Sequence, residues 1–215
     1  MNEFQKKSSA EDDSVWNDYF GVQFAGKGTK NCINCNLTTG KGQYYLNECK
    51  FFEDNGRVIN FSSINDSLFL HNLCSFSNCT SEEEGSCIYY VIGSNSSIVQ
   101  RKFCCTKCQS TKRGQFSYTE VGRDNLHFFI ESSLFDVGNE VGFDSIDAKE
   151  GNIIVSSTNF SSNKAQGEPV GLLAQFLYNN DFSTTLNYST VVNNLATNSS
   201  IITFFIVYWL IHVIY

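Results

Sequence analysis

The sequence predicts an all-β chain wound as a parallel β-helix of about six or seven coils. Three observations predict it: a short recurring motif, a glycine that follows most of its copies, and short strand-like runs on either side. The clearest copy ends the stretch LFLHNLCSFSNC as Phe76-x-x-Cys79. In the same phase stand Cys32-x-x-Cys35, Phe52-x-x-Asn55, Cys105-x-x-Cys108, Phe135-x-x-Gly138, Phe160-x-x-Asn163 and, more weakly, Thr190-x-x-Asn193. The last residues of these units are 20, 24, 29, 30, 25 and 30 positions apart, a spacing that a solenoid holds and a single compact core has no reason to produce.

Each unit follows one grammar. Gly40, Gly56, Gly85, Gly114, Gly142 and Gly167 follow successive motifs, and polar loops of equal length such as TSEEE and QSTKR precede two of them, as expected of outward excursions at one corner of a coil. After the glycines come Val58–Phe61, Cys87–Ile92, Phe116–Tyr118 and Val170–Leu173; before the motifs come Leu68–Leu70, Ile98–Val99, Phe128–Ile130 and Ile153–Val155. These runs are rich in β-branched and aromatic residues and read as strands. One proline and no long 3.6-residue periodicity argue against helix.

A coil of this size cannot bury a core of its own. Stacking parallel coils pairs each strand above and below at about 4.8 Å and piles the inward side chains into columns. Phe76, Cys105, Phe135 and Phe160 are expected in one inward column. Asn at the turn, as in Asn55 and Asn163, can bond its amide to the next coil, Cys fits as a small apolar occupant, and Gly138 suits an unusual backbone angle.

The stretches FSNC, FSSN and FEDN, each near a glycine and an apolar strand, resemble the F-x-x-N and G-G-A-[ILV] repeats of polymorphic outer membrane proteins, repeats also found in surface proteins of parasitic protists. The nearest match to the second pattern is Gly85-Ser86-Cys87-Ile88, and the resemblance covers roughly residues 31–205. It implies a right-handed parallel β-helix with a surface or adhesive role, and it brings no catalytic residues.

The chain divides into a polar, disordered tail over 1–14, an N-terminal cap over 15–30, the repeats over 31–205, and an apolar end over 201–215. That end, IITFFIVYWLIHVIY, falls short of the roughly 20 residues a spanning helix needs. It reads either as a last strand or cap, with residues 201–205 paired near Val170–Leu173, or as a shortened membrane anchor. The start, MNEFQKKSSAEDDSVW, has no apolar core and does not read as a signal peptide, so the chain is either not exported by that route or partial. Sequons at Asn36, Asn60, Asn65, Asn78, Asn95, Asn159, Asn187 and Asn198 favour export and glycosylation.

The 215 residues include 41% hydrophobic, 14% aromatic and 17% charged residues, the composition of a folded chain whose surface is Asn- and Ser-rich. A net charge of −7 opposes binding to nucleic acid, which needs clustered Lys and Arg. Nine cysteines leave at least one thiol free or paired with another chain. Cys32, Cys35, Cys105 and Cys108 have zinc-like pair spacing, but three coil steps put the pairs roughly 14 Å apart, too far for one ion. Cys79 and Cys108, which end successive units, are instead expected to touch as a thiol stack or disulfide. Asp54, Asp136, Asp144, Asp147 and Asp181 share no phase and read as solvated turns; His71, His127 and His212 are scattered, and Glu82–Glu84 read as a soluble loop. No catalytic residue, metal or cofactor is predicted. The reading is a non-enzymatic, adhesin-like interaction protein for a protein or glycan partner, with the tail as a route to a membrane; the alternative is a polysaccharide lyase or glycoside hydrolase on the same scaffold.

Overall fold

A computed structural model describes residues 10–35, 37, 41–64, 66–92, 95–166, 170–176, 185–197, 202–206 and 209–213. The chain is a parallel β-helix with three faces. The first carries seven parallel strands, from Lys27–Lys30 and Gly42–Asn47 through Ser67–Asn72, Ser97–Arg101, Leu126–Ile130 and Asn152–Ser156 to Thr185–Asn187. The second stacks six short strands, beginning with Lys50–Phe52, Ser75–Ser77 and Cys104–Thr106. The third stacks Ile59–Ile64, Ile88–Ile92, Ser117–Glu120, Ile146–Lys149, Leu172–Phe176 and Ile202–Ile206. Neighbours within each face come from successive coils, the parallel arrangement whose crossovers are right-handed as a general rule.

The corners on either side of the second face explain how the ladder turns without breaking. Glu48, Leu73, Lys102, Glu131, Ser157 and Tyr188 precede the second face with φ between 48° and 56°, and Glu53, Asn78, Lys107, Asp136, Ser162 and Asn193 follow it with φ between 53° and 57°. A left-handed residue other than glycine costs about 1–2 kcal/mol. In return its N–H still points along the helix axis: Glu53 N donates to Ser77 O, Asn78 N to Thr106 O, and Lys107 N to Asp136 O. The inter-coil hydrogen bonds therefore run on around both bends.

Between those corners one residue per coil faces inward. Register fixes the column as Phe51, Phe76, Cys105, Leu134, Phe160 and Val191. Phe76, Cys105 and Phe160 are where the repeat predicts them, but Phe52 and Phe135 are 41% and 50% exposed, and Phe51 and Leu134 take the inward places. The left-handed residue stands two positions after the inward one, so Glu53 and Asp136 select the first apolar residue of Phe51-Phe52 and Leu134-Phe135. Asn55 and Gly138 stand one residue late and Asn193 one residue early, and Asp54, Val137 and Asn194 are the residues in line with Cys79, Cys108 and Asn163. Cys32-x-x-Cys35 is out of phase too: Ile33 pairs with Lys50, which sets Cys32 under Cys49 at the first corner.

Residues 10–14, assigned to the polar tail by sequence, begin a helix, Ala10–Phe20. Asp13, in the first turn, favours its positive N-terminal end, and Gly21, at φ 63°, closes it by donating to Asn17 O. The helix does not cap the end of the coil stack. Trp16, Tyr19 and Phe20, spaced to share one helix side, pack on the outward column of the first face, where Tyr45, Leu70, Val99 and Phe128 are in register. At the other end, Ile202–Ile206 pairs parallel with Leu172–Phe176, Ile202 opposite Leu172, and then antiparallel with Trp209–Val213. The apolar end thus forms strands. Among the described residues no helix is long and apolar enough to cross a membrane.

Candidate functional site

The polar loops that follow the second face build a groove. Thr80–Ser81 pairs in parallel with Gln109–Ser110, so the loops TSEEE and QSTKR stack one on the other. Side chains lock them: Thr111 Oγ1 donates to Glu82 O at 3.1 Å, Ser110 Oγ to Glu83 O, and Arg57 Nε to Glu84 O at 2.9 Å. Glu82–Glu84 is therefore an ordered ledge, with Glu83 2.7 Å from Lys112 and Glu84 3.1 Å from Arg57. The Lys112 hydrogen bond holds the Glu83 carboxyl below its usual range, so it stays ionised.

The groove has a volume of about 550 Å³ and draws Asn55 and Gly56, Thr80–Glu83, Gln109–Thr111 and Asn139 from four successive coils. Three coil steps give it a run of roughly 14 Å along the axis. No aliphatic or aromatic side chain lines it. Its polar groups are set by one another: Thr80 Oγ1 donates to Asn55 Oδ1 at 2.8 Å, and Asn139 Nδ2 to Gln109 Oε1 at 3.3 Å. Asn55 is thus a groove residue rather than a rung of the inner stack. The equal length of the two loops was the only sequence signal for this surface.

Two of the aspartates that read as solvated turns are buried. Asp144 and Asp147 are 1% and 0% exposed. Asp144 accepts the Gly114 N–H at 2.6 Å; burial raises its pKa well above the usual range, and Asp147 adds to the rise. Asp147 stands in register between Tyr118 and Leu173, and its oxygens accept no hydrogen bond. Burial raises its pKa to about 6, while Lys149 and Arg113, the latter with Nη1 3.9 Å away, pull it down. Lys149 Nζ also donates to Tyr118 Oη. These are two carboxyls beside two cations, but neither aspartate lines the groove. Asp54 and Asp136 are partly exposed, and Asp181 lies outside the described residues.

His71 and His127 both point inward and are fully buried. His71 Nε2 lies 3.2 Å from Gln100 Oε1, and His127 bridges Thr119 Oγ1 at 2.6 Å and Glu150 O at 3.0 Å. Burial lowers both pKa values to about 4. The side chain of His212 lies outside what the structure describes.

The thiols gather in two places. At the first corner Cys32 is bonded to Cys35, and their sulfurs lie near that of Cys49, whose thiol donates to Thr29 O and Asn47 O. Farther along, Cys79, Cys87 and Cys108 have sulfurs within 4.8 Å of one another, and the buried Cys105 belongs to the same core cluster. Cys79 and Cys108 are thus neighbours as expected, and the two C-x-x-C pairs belong to different clusters. Cys87, read from sequence only as part of Gly85-Ser86-Cys87-Ile88, was not foreseen among the clustered thiols. Cys104 is exposed, the ninth cysteine, apart from both groups.

Of the sequons, Asn60, Asn78, Asn95 and Asn187 are exposed and Asn159 is partly exposed; Asn36, Asn65 and Asn198 lie outside the described residues. No known protein family, no curated protein and no solved structure matches the chain.

Proposed function

We propose that this chain is a non-enzymatic, adhesin-like interaction module whose groove binds an extended glycan. One observation carries the reading: hydroxyl, amide and carboxylate groups are presented at one-coil intervals along a groove that spans four coils. An extended peptide gains affinity from pockets that bury its alternate side chains. This groove has no apolar wall to supply them, whereas its lining complements a chain of hydroxyls. The exposed sequons and the resemblance of FSNC and FSSN to surface-protein repeats support display at a cell surface.

A glycan array probed with the full chain tests the reading. Ligands found there should bind Gln109→Ala and Thr80→Ala at least about tenfold more weakly, a loss of about 1.4 kcal/mol. Capture of proteins alone, or glycan binding untouched by both substitutions, overturns it.

A second reading, a polysaccharide lyase or glycoside hydrolase, is favoured by the paired Asp144 and Asp147 beside Arg113 and Lys149, since both reactions draw on carboxyls with separated pKa values. It predicts new sugar ends from a polysaccharide panel, abolished in Asp147→Asn. Absence of turnover in the unaltered chain would reject it.

A further inference from the structure

Three buried sulfurs of two adjacent coils, those of Cys79, Cys87 and Cys108, lie within 4.8 Å of one another, and a fourth buried thiol, Cys105, belongs to the same core cluster. Cys79 and Cys87 belong to one coil, Cys105 and Cys108 to the next, and all four are fully buried. Cys108 is the hub: its sulfur lies within 4.8 Å of those of Cys79 and Cys87, and Cys105 stands three residues before it in the same coil. In the inward column Cys105 takes the slot filled by Phe76 below and Leu134 above, with a much smaller side chain. Cys87 reaches the same space from the start of the third face, beside Ile88.

Four thiolates bound to one zinc at about 2.3 Å lie about 3.8 Å from one another. Three of the sulfurs here, those of Cys79, Cys87 and Cys108, already lie within 4.8 Å of each other, and the buried Cys105 thiol has to close on them to complete the set. A disulfide, by contrast, needs two sulfurs at about 2.05 Å and leaves the hub with two neighbours unused. None of the four is bonded. We propose that Cys79, Cys87, Cys105 and Cys108 bind a single structural zinc ion inside the coil stack, clamping two adjacent coils.

Zinc would replace up to four thiol protons, leaving a site of charge −2 and releasing those protons to solvent. The closed tetrahedral set leaves no open position, which makes the site structural rather than catalytic.

The test uses the full chain with Cys32→Ser and Cys35→Ser, which removes the other thiol cluster's outer pair. Produced with zinc and a phosphine reductant, it should retain about one zinc per chain through gel filtration. Refolded with cobalt(II), it should show the intense visible bands of tetrahedral thiolate cobalt, with proton release on binding. Cys87→Ser and Cys105→Ser should each lose most of the metal; Cys104→Ser should keep it. The cobalt spectrum needs no ligand substitution, so a poorly folding variant does not remove the test. A folded chain that takes up neither metal, or peptide mapping that finds these four sulfurs paired as disulfides in the reduced preparation, overturns the site.

Discussion

Asn163 carries its side chain back one coil to Val137: its Oδ1 accepts the Val137 N–H at 2.9 Å, and its Nδ2 donates to the carbonyl of Leu134 at 3.3 Å. Asn194 repeats the device, accepting from Asn163 N and donating to Phe160 O, both at 2.9 Å. Asn163 is fully buried, so Asn163→Ala strands a backbone donor where water cannot reach it. The expected loss is about 1–3 kcal/mol, read as a lower urea midpoint with an unchanged slope. Asn194→Ala, at a partly exposed rung, should cost less. Equal losses would mean that the ladder is held by something other than these amides.

Leu134 and Phe135 separate the inward phase from its neighbour. Leu134 is fully buried between Cys105 and Phe160, and Phe135 is half exposed. Leu134→Ala should cost about 2–5 kcal/mol, and Phe135→Ala about 1 kcal/mol or less. Denaturant unfolding of the two variants decides it; the reverse order would place the column one residue along.

The period of the coil was legible because it repeats, but its exact phase was not. Phe51-Phe52 and Leu134-Phe135 each offer two apolar residues, and the choice rests on a left-handed φ at Glu53 and Asp136. A glutamate gives no local sign of that conformation. The strands of the first and third faces were readable from β-branched runs such as Ile153–Val155, whereas the corner strands have only three residues and no pattern. The helix was missed because Trp16, Tyr19 and Phe20 are stabilised by the outer column of the first face, a tertiary contact. The burial of Asp144, Asp147 and Cys87 was invisible for the same reason: each is placed by how the coils stack.

Trp16 tests that helix contact. Its ring lies 4.3 Å from Phe20, 4.8 Å from Phe24 and 6.3 Å from Tyr45, centroid to centroid. Trp16→Ala should remove about 3–5 kcal/mol from the helix's docking. If the helix can leave while the coils persist, hydrogen exchange will rise over residues 10–24 and stay slow in Ser97–Arg101. Loss of protection throughout would show that the helix is part of the cooperative fold, and unchanged exchange over 10–24 would refute the docking itself.

Asp147 gives the fold a dependence on pH whose sign follows from its burial. Its folded pKa of about 6 lies above the ordinary aspartate value of 3.8, so between those values the folded chain holds more protons than the unfolded one. Stability from this group therefore rises as pH falls through the window, and above pH 6 the fold carries a penalty of roughly 3 kcal/mol. His71 and His127 act in the opposite direction: their folded pKa of about 4 lies below 6.5, so their contribution is full above pH 6.5 and is lost as pH falls towards 4. In the unaltered chain these effects offset one another. Asp147→Asn removes the Asp147 share of the balance, since an amide cannot ionise, and leaves the raised Asp144 carboxyl acting in the same direction. It should be more stable than the unaltered chain at pH 8, lose stability more steeply between pH 6.5 and 4, and meet the unaltered chain near pH 4. Urea midpoints measured at unit intervals of pH check this, and parallel curves from pH 8 to 4 would mean that the carboxyl of Asp147 does not titrate there.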